Sequence, residues 1–303
     1  MSRMSRIAAL DVGSNSVLMC IAEVSGPDDF RVIYDSARTT RLGEGLDRTG
    51  NLSPAAIRRT VEVLRECHRK AQLLGVGIAE AVATAAVREA ENAHEFTDAA
   101  EEVLGIPVRP IEGREEARLT FLGVAGPGAA GPIVVVDVGG ASTEITLARD
   151  GEIVRSESLP VGAARLKEAI PSEDILRFFV RVIEVIPADL HPEDVAGARV
   201  VLVGGTATTL AAIRLKMTRY DPDRVEGESF TIDEIRAMVA SMQEMSVEER
   251  SCVPGLPASR AKIITSGGLV ILQVLEDLGI DEATVSARGL RHGLLREITR
   301  GGR

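Results

Sequence analysis

The chain has 303 residues, 45% of them hydrophobic and 26% charged, enough to bury the cores of about two domains. A formal net charge of −10 argues against a nucleic-acid groove, which needs a concentrated basic surface, but leaves open a polyanionic substrate held in a locally positive site. No apolar run reaches the ~20 residues that span a bilayer, the N-terminus enters a strand without a signal-peptide core, and Cys20, Cys67 and Cys252 are isolated, so a cytoplasmic protein with free thiols and no membrane association is expected.

In chain order, the apolar run Ile7 to Leu10 ends at Asp11-Val12-Gly13-Ser14-Asn15-Ser16, and a second run, Val17 to Val24, follows. This predicts a hairpin with a carboxylate at the strand end. A further strand is predicted over Phe30 to Tyr34, ahead of a loop whose Arg38 and Arg41 would lie along a substrate path. Ser53-Pro54 reads as an N-cap followed by proline at the first helical position, opening an amphipathic helix over 55–74. Ile78 to Ala83 is the next strand, and Thr84 to Arg88 turns into a second helix with Asn92 to Val103. Val108 to Ile111 forms a short strand before a helix that begins within Glu112 to Leu119. Gly126 to Pro132, dense in glycine and proline, reads as the linker and divides the chain into domains 1–125 and 126–303, with the last helix able to pack back.

The second half repeats the plan. Ile133 to Val136 leads into Asp137-Val138-Gly139-Gly140-Ala141-Ser142, 126 residues after the first turn. Ile145 to Ala148 returns, Glu152 to Ser156 is a strand, and Ala163 to Ile186 is helical. Val200 to Val203 then runs into Gly204-Gly205-Thr206 and a helix start, and Ile263-Ile264 into Thr265-Ser266-Gly267-Gly268 in what reads as the same arrangement. Glycine and serine let main-chain N–H groups crowd onto an anion, helix N-termini favour negative charge, and an aspartate can hold a divalent cation. For any one such turn taken alone, close packing is the simpler account. Four of them, two in equivalent hairpins, point to a duplicated domain enclosing a phosphate-binding cleft. Neither a P-loop ending nor a Gly-x-Gly-x-x-Gly order is present. His68, His94, His191 and His292 lack metal-ligand spacing and read as surface or packing residues.

Six segments in this order carry a family resemblance: Asp11 to Ser16, Ala83 to Arg88, Gly113-Arg-Glu-Glu-Ala-Arg-Leu119, Asp137-Val-Gly-Gly-Ala-Ser-Thr-Glu144, Gly204 to Thr206, and Gly289-Leu-Arg-His-Gly293. Together they resemble the exopolyphosphatase and guanosine pentaphosphate phosphatase family over nearly the whole chain. The resemblance implies an α/β fold of two ribonuclease-H-like domains, of the actin, sugar kinase and heat-shock chaperone superfamily, with a central interdomain cleft. It also implies hydrolysis of a terminal phosphoanhydride, releasing orthophosphate from inorganic polyphosphate or from guanosine pentaphosphate.

By the same resemblance Glu116 is the general base, with Glu115 its neighbour, and Asp137 and Glu144 are the magnesium carboxylates, with Asp11 a second metal or water-orienting group. Arg88 would contact the phosphates, and Ser14, Asn15, Ser16, Gly139, Gly140, Ser142, Gly205 and Thr206 would add donors. A homodimer is implied too. The sequence departs from the family at Ala141, where a third glycine is usual, and at His292, where glutamate is usual. A positive φ at Ala141 would be costly; otherwise its methyl merely tightens the loop. The chain stops at Arg303, where longer relatives continue into helical domains, so a short form preferring shorter polymers is expected. Guanosine pentaphosphate hydrolysis, a sugar or acid kinase on this fold, and a non-catalytic phosphate sensor remain the competing functions.

Overall fold

The computed structural model describes residues 5–126, 129–170 and 190–301. The chain forms two compact units, one of Met1–Pro127 with Gly289–Arg303 and one of Gly128–Arg288. The closing helix, which the linker-based division places in 126–303, thus belongs to the first unit.

In the first unit, strands β1 (Ser5–Val12), β2 (Ser16–Gly26), β3 (Asp29–Thr39), β4 (Ile78–Ala83) and β5 (Val108–Pro110) form one sheet in the order β3-β2-β1-β4-β5. β1, β2 and β3 are antiparallel neighbours, whereas β4 and β5 run parallel to β1. β1 is covered on both faces, which is why its sequence is continuously apolar rather than alternating. Ala8, Leu10 and Val12 pack on one side with Leu64, Cys67 and Ala71 of the helix Pro54–Leu73. Ala9 packs on the other side with Leu119, Leu290 and Leu294. The first of these helices opens as expected, with the Ser53 hydroxyl accepting from the Ala56 N–H at 3.2 Å and Pro54 at the helix start.

The closing helix, Leu290–Thr299, lies against the helix Gly113–Ala125 so tightly that only glycines fit at the crossing. A Cβ on Gly293 would sit 1.9 Å from the Leu119 carbonyl oxygen, and one on Gly123 would sit 2.2 Å from that of Gly289. The Gly289 to Gly293 motif is therefore a helix-crossing device. Arg291 reinforces it, donating from Nε and Nη2 to the two oxygens of Asp35 on β3 at 2.9 and 2.8 Å.

The second unit repeats the pattern with strands β6 (Pro132–Val138), β7 (Thr143–Arg149), β8 (Glu152–Leu159), β9 (Arg199–Val203), β10 (Ser229–Thr231) and β11 (Glu282–Val285), in the order β10-β11-β9-β6-β7-β8. Strands β8-β7-β6-β9-β11 reproduce β3-β2-β1-β4-β5 in order and direction, and β10 is added antiparallel at the edge. The duplication inferred from the two Asp-Val-Gly turns is thus a duplication of sheet topology. The expected helix over 163–186 is seen as Ala163–Ala169, and its later residues lie outside the described ones. Among the described residues, no helix is long and apolar enough to cross a membrane.

Arg38, expected in a loop after a strand over Phe30 to Tyr34, instead lies within β3 because that strand pairs with β2 as far as Thr39. Another expectation fails as well. Thr265-Ser266-Gly267-Gly268 is not a turn after a strand but the first part of the helix Ile264–Asp277, fully buried. Ser266 donates to the Ala163 carbonyl at 2.7 Å, and Gly268 lies where a Cβ would meet Val239 at 2.5 Å. Small residues are required there by helix packing, which leaves the same composition as an anion-binding turn.

Candidate active site

The two Asp-Val-Gly turns close in the same way. Gly13 N–H donates to the Ser16 carbonyl at 2.9 Å, and Gly139 N–H to the Ser142 carbonyl at 3.0 Å. Among the described residues the amides of Ser14 and Asn15, and of Gly140, Ala141 and Ser142, meet no protein acceptor, so each turn presents a small concavity of N–H groups suited to an anion. The first turn is buttressed from outside. The Ser14 hydroxyl accepts from the Ala86 N–H at 3.1 Å, the Asn15 amide reaches the Ser16 hydroxyl at 3.3 Å, and the Asn15 carbonyl accepts from Thr40 and Arg41. Arg41 is held there in the left-handed region, at φ 51°.

In the second turn Ala141 does not adopt a positive φ, so its methyl carries no backbone strain. The loop carbonyls point away from the unpaired amides, those of Gly139 and Gly140 accepting from the first N–H groups of the helix Ala163–Ala169. The carbonyl of Ala141 accepts from Arg165 at 2.8 Å.

The carboxylates are not equivalent. Asp137 on β6 faces Glu144 on β7 directly across the hairpin, and directly opposed residues project to the same sheet face. In the first hairpin the residue facing Asp11 is Leu18. Glu144 is buried to 2% exposure and accepts from the Ser158 hydroxyl at 2.8 Å. Gly204, at φ +85°, begins the helix Gly204–Arg214 beside Asp137, where a Cβ would stand 2.6 Å from the Asp137 Oδ1. Two hard oxygen donors on one face, one oriented by a hydroxyl and the other approached by a bare backbone, form a donor set that fits a divalent cation.

In the first unit, Arg88 reaches the Ile111 carbonyl at 2.7 Å and Glu116 Oε2 at 3.3 Å. Both side chains are largely withdrawn from solvent, at 19% and 12% exposure. The neighbouring Glu115 is engaged elsewhere, with both its oxygens 2.9 Å from Arg109 Nη1, while Arg109 also holds Glu80 at 2.7 Å. Of two adjacent glutamates on one helix, one belongs to a structural ion-pair cluster and the other is aimed at a phosphate-suited arginine.

Sequence reasoning missed Arg260. Its guanidinium lies over Gly205 so closely that a Cβ there would be 2.0 Å from Nη1. Among the described residues its guanidinium has no side-chain hydrogen bond or ion pair, and burial pushes its pKa down against a smaller opposing effect of Tyr220. A cation at the positive end of a helix is unfavourable unless an anion joins it. The bare Cα of Gly205 admits this guanidinium, and Thr206 is buried against Gly267 of the helix Ile264–Asp277. A lone arginine between Ala258 and Lys262 gives no sequence signal of this placement.

Cys20, Asp35 and His292 gather their potential ligand atoms within 4.8 Å of one another, despite their distance in sequence. Burial, then the nearby Asp35, pushes the Cys20 thiol up to about 12, and Arg291 already occupies both Asp35 oxygens. A protonated thiol beside a neutralised carboxylate makes a packing strut, and a poor cation site.

Residues 20–300 match the Ppx/GppA phosphatase family model. The chain is 33% identical to exopolyphosphatase 2 of Mycobacterium tuberculosis over 96% of its own length and 98% of that protein's. A crystal structure of the Aquifex aeolicus Ppx/GppA family member matches with a TM-score of 0.79 and 32% identity, covering 99% of this chain and 100% of that one. An exopolyphosphatase structure from Cytophaga hutchinsonii matches with a TM-score of 0.88 at 22% identity, over 99% of both chains, a likeness of fold.

Proposed function

The chain belongs to the Ppx/GppA phosphatase family, with the two-domain actin-like fold of its structures, and from that premise we propose that it is an exopolyphosphatase, a hydrolase releasing orthophosphate from the end of inorganic polyphosphate. The observation that carries the catalytic assignment is the division of labour between Glu115 and Glu116, which leaves Glu116 beside Arg88.

In this reading Glu116 is the general base. The Arg88 guanidinium orients its carboxylate, so that it can take a proton from the water attacking the terminal phosphorus. Arg88 also offers donors to the equatorial oxygens of the transferring phosphoryl group, for which a planar fork suits better than a point charge. The unpaired amides of the two turns, with Ser14, Asn15, Ser16, Gly139, Gly140 and Ser142, receive phosphate oxygens, and Arg260 with the helix start at Gly204 and Gly205 adds a further cationic contact. Within each unit the turn amides are held by the hairpin that carries them, so they meet phosphate charge without local reorganisation.

Asp137 and Glu144 would hold a divalent cation, for which we propose magnesium, with Asp11 as a further metal or water-orienting group. Such a cation neutralises phosphate oxygens and supports charge on the leaving group. A cytoplasmic homodimer is part of the same proposal.

Phosphate release from polyphosphate, guanosine pentaphosphate and ATP, with and without magnesium, tests the reading. Magnesium-dependent release from polyphosphate that disappears in Glu116→Gln is expected. Preferred turnover of guanosine pentaphosphate would move the protein to the family's other activity, and phosphorylation of a small acceptor by ATP would overturn the hydrolase assignment.

A further inference from the structure

The helix Pro54–Leu73 covers the face of the first unit's sheet that carries Val17, Met19 and Ile21, and at the sheet's edge it overhangs strand β3. On β3 the residues opposite those three are Arg38, Ser36 and Tyr34, which alternate onto that same face. A groove of about 340 Å³ opens between the strand and the helix, with Glu66, Cys67, Arg69, Lys70 and Leu73 as its helical wall.

Its charge runs against that of the protein. Three cations, Arg38, Arg69 and Lys70, face one carboxylate, Glu66, in a chain with a net charge of −10. Among the described residues Arg38 and Lys70 have no ion-pair partner, although the chain has carboxylates to spare. Lys70 is steadied over the Tyr34 ring at 4.8 Å, and Arg69 makes an exposed contact with Glu62 at 3.3 Å, which solvent screens.

The groove also has a direction. Arg38 faces Val17, one pair beyond Thr39 opposite Ser16, so the groove begins next to the Asp11 to Ser16 turn. From Arg38 to Tyr34 it follows the strand for roughly 13 Å. We propose that this groove is a polyphosphate exosite, in which Arg38, Arg69 and Lys70 bind phosphates of the chain distal to the one being removed. The inference rests on the exopolyphosphatase reading for its ligand but concerns different residues. Each bound phosphate displaces counterions, so the contact is salt dependent, and it favours chains long enough to reach from the turn into the groove.

The test compares wild type, Arg69→Ala/Lys70→Ala and the charge-retaining Arg69→Lys/Lys70→Arg on long-chain polyphosphate and on tripolyphosphate, at several salt concentrations. For the alanine pair we expect KM on the long chain to rise about tenfold, the scale of one moderate charged contact. Its salt dependence should become shallower, kcat and tripolyphosphate kinetics should stay unchanged, and the charge-retaining pair should behave as wild type. An unchanged long-chain KM, or an equal rise for both substrates, would overturn the exosite. If wild type hydrolyses neither substrate, the exopolyphosphatase reading falls, and equilibrium binding of long-chain polyphosphate to the same three proteins still decides the groove: equal affinities refute it.

Discussion

Arg88 Nη1 lies 3.3 Å from Glu116 Oε2 while the same nitrogen donates to the Ile111 carbonyl at 2.7 Å, so the arginine is anchored to backbone as it orients the carboxylate. The Ile111 carbonyl after β5 thereby fixes the side from which Arg88 meets Glu116. Replacing Glu116 by glutamine keeps the shape and removes the carboxylate proposed as the base, and phosphate release should fall about 10² to 10⁴-fold with the melting temperature preserved. Glu115→Gln provides the contrast. It loosens the Arg109 cluster, costs at most about 1 kcal/mol because that pair is partly exposed, and leaves kcat near wild type.

Asp137 and Glu144 face each other across one hairpin, so each single neutralisation should raise the magnesium concentration needed for half-maximal activity rather than abolish folding. Gly204→Ala should act likewise, since it forces a Cβ to within 2.6 Å of Asp137 Oδ1 at a φ of +85°. Magnesium titrations of activity check all three. A variant with a wild-type metal requirement would remove that residue from the cation site.

Arg260 is expected to contribute binding rather than proton transfer. Arg260→Ala should raise KM with a smaller effect on kcat, and Gly205→Ala, which displaces the guanidinium, should reproduce that pattern. Equal KM values for variant and wild type would show that the guanidinium touches no substrate.

Ala141→Gly places a third glycine after Gly139 and Gly140 at a position with no positive φ. Activity should be unchanged and stability should fall by about 0.5–1 kcal/mol, because glycine gains freedom in the unfolded chain without relieving strain in the folded one. Chemical denaturation with parallel phosphate-release assays distinguishes this from a loop that needs glycine.

Alkaline pH should destabilise the first unit. Burial raises the Cys20 thiol from 9.0 to about 12 and the Cys67 thiol to about 11, so the folded state retains protons that the unfolded state loses. Their contribution is complete below pH 9 and declines between pH 9 and their folded values, with a slope for each thiol approaching about 1.4 kcal/mol per pH unit. Unfolding free energies across this window should fall less steeply in Cys20→Ala than in wild type.

Much of this organisation is legible in the sequence because it is local. Continuous apolar runs mark β1 and β6, Ser53-Pro54 starts a helix, and the repeated Asp-Val-Gly turns carry the sheet duplication. Period, capping and turn chemistry act within a few residues and can be read along the chain. The tertiary structure alone decided which partners distant side chains meet. It gave Glu115 to Arg109 and Glu116 to Arg88, laid Arg260 on Gly205, buried Ser266 against Ala163, and drew Leu290–Thr299 into the first unit through Gly123 and Gly293. These outcomes depend on which surfaces close over one another. A glycine that admits a helix, a guanidinium or a phosphate is the same letter until its neighbour in space is known.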